Sequence, residues 1–416
     1  MKLPKYSIGI GDRFAHQGRA QLRAVLKAAE QGVDIAPVWN KSHREHEIVG
    51  TKPAAVRAEA DAAVAALGFK GLYFVDADHV GPSTIGQFID SSDFFTLDVA
   101  DFIGRPASDE AIARFVDKHR GDIGRLEIPG LDEPMEITES LIEATAAKFL
   151  LAVEQCGTMY RQLVETKGED AFVVEVSMDE TDQPQTPPEM LLILAAIADA
   201  GVPAQTIAPR FSGRFNKGVD YVGDVSQFAG EFEQDVAVVA YAVEKFGLPE
   251  SLKLSVHSGS DKFSIYGPMR EVLAKFDAGV HLKTAGTTWL EEIIGLALSG
   301  GEALQIAKDV YGEALDRFDE LCKPYATVID IDRSALPSSE TIAAWDGPTL
   351  AAALRHDQSC ATFNPNLRQL LHVGYKVAAE MGPRFLDALQ QHAEVIGENV
   401  TENLYQRHIG ALFVGE

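Results

Sequence analysis

Eight short runs rich in apolar and β-branched residues recur along the first 284 residues, and longer segments with helical periodicity separate most of them. They are Ser7–Phe14, Ile35–Asn40, Gly71–His79, Phe94–Ile103, Phe172–Asp179, Ala204–Phe211, Leu252–Ser258 and Gly279–Thr284. Strands that alternate with helices pair in parallel, because a parallel connection must be long enough to hold a crossover helix. Eight such units are the number that closes a (β/α)8 TIM-type barrel. A doubly wound open sheet is the alternative, since the order of elements along a chain does not show closure. A barrel takes ~250 residues, fewer than the 416 present, and strand signals become sparse after Gly301. The expected architecture is therefore an α/β barrel over residues 1–300 with a mostly helical C-terminal extension over 301–416. The stretch Leu336–Thr341 is the expected break within the extension.

Helix signals support this order. Gln17–Gln31 is stopped by Gly32 and Lys52–Leu67 by Gly68, a residue that accepts the left-handed conformation at a helix end. Pro187 and Pro188 open a helix running to Gly201, where a missing N–H in the first turn costs nothing. Thr138–Lys167, Gly223–Gly247, Asp261–Ala278 and the segment from about Thr288 complete the set.

A formal net charge of −25 argues against nucleic acid as a partner, because phosphate binding needs a concentrated basic surface. Cys156, Cys322 and Cys360 are widely spaced, as in a reducing compartment. The N-terminal MKLPKYSIGIGDRF has neither the apolar stretch nor the cleavage site of a secretory signal. No apolar run reaches the ~20 residues of a membrane span, so a cytoplasmic location is expected and a homo-oligomer is compatible with the sequence.

Barrel enzymes place their chemistry at the C-terminal ends of the strands, and polar residues cluster there. The first run ends in Asp12-Arg13, the second in Asn40-Lys41 and the third in Asp76-Ala77-Asp78-His79. The fifth carries Glu175, Ser177 and Asp179, the sixth Arg210, the seventh His257-Ser258-Gly259-Ser260, and the eighth His281, Lys283 and Thr284. Period-two alternation sets Glu175, Ser177 and Asp179 on one face, Lys253, Ser255 and His257 on another, and His281 with Lys283 on a third. Their apolar neighbours face the surrounding helices, so the polar faces look into the barrel.

His79, His257 and His281 arrive from three strands, the usual way to hold a divalent transition metal. Zinc is the first expectation, with manganese or nickel as alternatives; the competing reading is that each imidazole only hydrogen-bonds its own loop. Asp76 and Asp78 share a face and His79 nominally points away, so the loop must turn His79 inward or an aspartate replaces it. Gly9-Ile10-Gly11 lacks the third glycine of a dinucleotide fingerprint. Gly213–Asp220 either binds an anion or forms a loop, and Trp39–Arg44 either grips a carboxylate or stays solvated.

The strings Val75–Gly81 (VDADHVG), Ala208–Asp224 (APRFSGRFNKGVDYVGD), Val256–Phe263 (VHSGSDKF), Asn364–Lys376 (NPNLRQLLHVGYK) and Asn403–Ile409 (NLYQRHI) resemble the tagaturonate epimerase family. Together they extend over nearly the whole chain. The resemblance implies an isomerase of hexuronate catabolism that acts on a small sugar acid, inverting C4 between D-tagaturonate and D-fructuronate. A second likeness is to class II metal-dependent aldolases of tagatose bisphosphate, through Asp78-His79 and His257-Ser258-Gly259-Ser260. Ser258 stands where those enzymes have glycine, and no phosphate motif is present.

Only C3–H of such a ketouronate is acidified by the C2 ketone, so deprotonation at C4 is not available. Two routes remain: transient oxidation by a bound nicotinamide, which the incomplete fingerprint disfavours, and retro-aldol cleavage of C3–C4 with re-addition, the expected route, which a divalent metal suits. Asp78 and Glu175 are the expected acid–base residues. Asn40, Lys41, Arg210, Asp220, Tyr221, Ser258 and Lys283 are the expected substrate contacts. A sugar aldolase, a ketose isomerase acting on fructose or tagatose, and a non-catalytic sugar-binding protein are the alternatives.

Overall fold

A computed structural model describes residues 1–179, 181 and 183–415. Eight strands form a closed, all-parallel barrel: β1 (Tyr6–Gly11), β2 (Ala36–Ser42), β3 (Phe74–Val80), β4 (Phe94–Asp98), β5 (Val173–Ser177), β6 (Thr206–Ala208), β7 (Lys253–His257) and β8 (Val280–Lys283). β1 closes the ring on β8, with Ser7 opposite His281. Each strand overlaps one of the eight runs read from the sequence, with β1, β2 and β3 overrunning theirs at Tyr6, Lys41-Ser42 and Val80, and closure excludes the open sheet.

Alternation divides the barrel by depth as well as by face. The floor is apolar inside along β2 to β5: Ala36, Val38, Phe74, Phe94 and Val173 pack together, with Leu3 from the chain start beneath them. One step up β2 to β5 the inward residues turn polar, Asn40, Asp76, Thr96 and Glu175, while on β1, β7 and β8 the inward row is already polar at the floor with Ser7, Lys253 and His281; Lys283 lies above His281, and all of these are buried. Outward residues such as Ile8, Val75, Leu97, Val176 and Leu254 join the helices in the main core. Inward Gly9 has a steric role, since a Cβ there would lie 2.9 Å from Thr284 N. Gly9 thus lets β1 approach β8.

Three local features depart from the sequence reading. The fourth run continues only to Asp98, after which Ala100–Phe102 form a 3-10 turn. The polar stretch after strand two becomes a helix, His43–Val49, because Ser42 and Glu45 make a reciprocal capping box at its start. A helix Asp109–His119 and an antiparallel ribbon of Gly124–Leu126 with Met135–Ile137 precede the long helix Glu139–Lys167.

The extension is helical, as read. Its core joins the helix Thr288–Ser299 to Ile306, Val310, Leu367, Leu370 and Phe385, and takes in Phe14 and Ala20 from the barrel. Trp289 donates its indole N–H to Leu371 O at 2.7 Å. The closing π-helical segment Asn403–Val414 returns to the barrel, where Ile409 and Leu412 enter the main core.

Candidate active site at the C-terminal mouth of the barrel

Lys283 is the centre of the upper layer. Its Nζ lies 2.7 Å from Asp76 Oδ2, 3.1 Å from Asp78 Oδ1 and 3.1 Å from Glu175 Oε1, and it donates to Thr96 Oγ1. One ammonium among three carboxylates leaves an excess of negative charge, which protonation of one carboxylate relieves. Asp76 is the carboxylate pushed toward protonation: burial first, then the charges of Asp78 and Glu175, work against Lys283 and raise its pKa to about 7. Burial also works against ionised Asp78, but Lys283 and His79 overcome it and keep Asp78 below its ordinary value.

His257 has a carboxylate at each ring nitrogen. Nε2 is 2.8 Å from Glu175 Oε1 and Nδ1 is 3.0 Å from Asp179 Oδ2, while Ser177 Oγ donates to Asp179 Oδ1 at 2.6 Å. His79 stands beside it, with ring centroids 5.1 Å apart and nearly perpendicular. The chain turns His79 inward at the end of β3, where the pairing with β4 shifts between Ala77 and Val80 and His79 takes φ +51°. Left-handed backbone at a non-glycine residue is costly and persists where surrounding structure enforces it. Burial opposes charge on both imidazoles. Asp78 and the Asp98 hydrogen bond nevertheless raise His79 to about 10, and Asp179 and Glu175 raise His257 to about 9.

His79, Asp179 and His257 form the group able to hold a metal ion among the described residues, their candidate donor atoms lying within 4.8 Å of one another. His281, expected as the third ligand, is not part of it. It lies one layer lower, its Nδ1 2.9 Å from Ser7 Oγ and its ring 5.3 Å from that of Phe94, and burial lowers its pKa to about 3. Inward orientation was read correctly; depth was not.

The other expected contacts separate into two sets. Asn40 Nδ2 donates to Thr284 Oγ1 at 2.9 Å, while its buried Oδ1 has no partner. Arg210 reaches Asp179 O at 3.4 Å. Lys41 is buried and spends its ammonium on Arg13 O and Thr51 Oγ1, and burial lowers its pKa to about 8. Ser258 bonds Lys283 O at 3.0 Å and fastens β7 to β8. Asp220 accepts from Ser264 N and Oγ, and Tyr221 donates to Ser212 O at 2.9 Å, so this pair holds a loop together.

Asp179 and Thr96 were missed as site residues. Asp179 continues the inward row of Glu175 and Ser177, which is the signal that marks it. Nothing in a single threonine between Phe95 and Leu97 marks Thr96.

Residues 1–412 match the family model described as tagaturonate epimerase. A tagaturonate/fructuronate epimerase of Thermotoga maritima is 29% identical over 422 residues, covering 98% of this chain and 80% of that protein. The native crystal structure of fructuronate-tagaturonate epimerase UxaE from Cohnella laeviribosi superposes with a TM-score of 0.81 at 23% identity, covering 99% of this chain and 82% of that one. A glycerol-complexed structure of the same enzyme gives the same values. At that identity the structural likeness shows a shared fold.

Proposed function

The chain belongs to the tagaturonate epimerase family, and we propose that it interconverts D-tagaturonate and D-fructuronate by metal-assisted retro-aldol and aldol steps. The observation that carries this reading is the meeting of His79, Asp179 and His257 beside the Lys283–Asp78–Glu175 cluster. This group fits a divalent ion. With Nε2–H of His257 directed at Glu175, the ring presents Nδ1 on the side of Asp179, the carboxylate–histidine–metal arrangement of known sites. His79 adds a second imidazole, its Nδ1 3.4 Å from Asp98 Oδ2, a carboxylate placed to orient the ring. Protons on the two rings balance the carboxylates around them; a dication does the same with both imidazoles neutral. An ion held there supplies Lewis-acid polarisation of the substrate's oxygens. Zinc suits two imidazoles and a carboxylate, with manganese and nickel next.

The chain's own residues supply the proton transfers. Against burial, Asp78 is kept below its ordinary carboxylate pKa by Lys283, whose Nζ lies 3.1 Å from Oδ1, and its side chain is 12% exposed at the mouth, so it is placed to take the C4 hydroxyl proton and return it. Glu175 is fully buried, and Lys283, Thr96, Thr206 and His257 occupy its oxygens. That setting suits orienting His257 better than acid–base work.

Cleavage of C3–C4 leaves the C4 hydrogen on carbon as the aldehyde hydrogen of the detached fragment. Tagaturonate deuterated at C4 is therefore expected to give fructuronate with the label retained and only a small isotope effect, measured by NMR. Label lost to solvent overturns the retro-aldol route. Absence of turnover on both ketouronates overturns the substrate assignment.

A further inference from the structure

Three cations near the mouth already have their partners. Lys283 is held by three carboxylates, Lys41 by Arg13 O and Thr51, and Arg13 by Glu45 at 3.1 Å and by His372 O at 3.0 Å. Lys217 differs. It is part-exposed and makes no ion pair with any described residue, although Arg13, Arg44, Glu45 and Asp78 all act on its charge. Its Nζ stands 5.9 Å from the centre of the Tyr325 ring, and the Arg44 guanidinium stands 4.7 Å from the same ring, also without an ion pair among the described residues. Two cations without an ion pair among the described residues share one aromatic platform, within reach of the field of Asp78.

The loop that carries Lys217 is braced. Gly218 N donates to Ser260 Oγ at 2.9 Å, Lys262 Nζ reaches Asn216 O at 2.9 Å and Val219 O at 2.7 Å, and Lys217 N donates to Val328 O at 2.8 Å. Arg214 and Val222 pair as an antiparallel bridge across the loop. The loop backbone that carries the ammonium is thus fixed before any ligand arrives, which lowers the ordering cost of binding. Like charges gathered in a half-buried place favour an anion there.

We propose that Lys217, backed by Arg44, is the carboxylate anchor of the sugar acid, so that the loop 212–223 and Tyr325 of the helical extension select uronates over neutral ketoses. This rests on the ketouronate reading above, and the test separates the two. Glycerate and glycerol differ by one carboxylate and serve as matched probes. In Lys217→Met, KM for tagaturonate is expected to rise by about tenfold or more, the scale of a hydrogen bond to a charged group, with kcat less affected. Glycerate affinity, read by calorimetric titration, should fall alike while glycerol affinity stays the same. Lys217→Arg keeps the charge and should restore most of the loss. Lys217→Gln, checked by circular dichroism, serves if the methionine variant fails to fold. Unchanged KM and unchanged glycerate binding in Lys217→Met or Lys217→Gln overturn the anchor. Wild-type protein that binds glycerate through Lys217 but turns over neither ketouronate keeps the anchor and overturns the substrate reading.

Discussion

His257 sits between two carboxylates, so one ring nitrogen is committed to Glu175 and the other faces Asp179. His281 sits on Phe94 and against Ser7, with no carboxylate hydrogen-bonded to it among the described residues. Replacing each histidine therefore separates ligation from packing. His257→Ala is expected to lose the bound divalent ion, about one per chain in the wild type if the site is a single mononuclear centre, and to lose turnover with it. His281→Gln is expected to keep the ion, as measured by elemental analysis after dialysis. Equal metal content in His257→Ala and wild type would reject the site. At this scale the sequence was legible in direction and not in depth. Alternation placed Glu175, His257, His281 and Lys283 on inward faces, and all four are there. Yet a period of two repeats identically up a strand, so it cannot say that residue 281 meets the apolar floor while residue 283 meets three carboxylates. His79 is the reverse case: alternation pointed it outward, and a left-handed backbone at the strand end brings it to His257.

Strands were the most legible elements, because each is a short apolar run between breakers. Less legible were segments formed by local hydrogen bonds rather than apolar periodicity, such as His43–Val49, whose start depends on the Ser42–Glu45 capping box. The inward row of β7 also has an energetic consequence. It runs Lys253, Ser255, His257, and its lowest member is a buried ammonium with no carboxylate partner among the described residues, bonded to Pro4 O. Burial lowers the Lys253 pKa from 10.5 to about 7. Between those two values the unfolded chain binds more protons than the folded one, so this residue makes stability rise as pH increases from about 7 toward 10.5. Lys253→Met is expected to flatten that rise. At neutral pH it should stabilise the protein by on the order of 1 kcal/mol, since an apolar group replaces an uncompensated buried charge. Urea unfolding at several pH values measures both, and a variant less stable than wild type at pH 7 would show that the bond to Pro4 outweighs the burial penalty.

Across the whole molecule, four of the five strings that carried the family resemblance converge on one buried group rather than on the reacting atoms. Asp261, just beyond β7, accepts from Arg368 Nη2 at 2.6 Å and pairs with His356 Nδ1 and His408 Nε2 at 3.1 Å each. Arg368 also bonds Gly218 O and Leu354 O, both at 2.7 Å, and His408 Nδ1 meets Tyr266 OH at 2.8 Å. This node joins the loop after β7, the loop carrying Lys217 and three parts of the extension. No sequence pattern shows it, because the three partners of Asp261 lie 95, 107 and 147 positions along the chain from it and each looks like an ordinary polar residue on a helix or loop. Its arrangement predicts that barrel and extension unfold together. Arg368→Met strands a buried carboxylate and frees two carbonyls, so it is expected to cost about 3–5 kcal/mol, the range for breaking one side of a buried pair. Adding Asp261→Asn removes the stranded charge and should recover part of the loss, a coupling that independent sites would not show. Guanidinium unfolding followed by near-UV and far-UV circular dichroism reads both effects. Two separate transitions in the wild type, or additive losses in the double variant, would mean that the node does not bind the two parts into one cooperative unit.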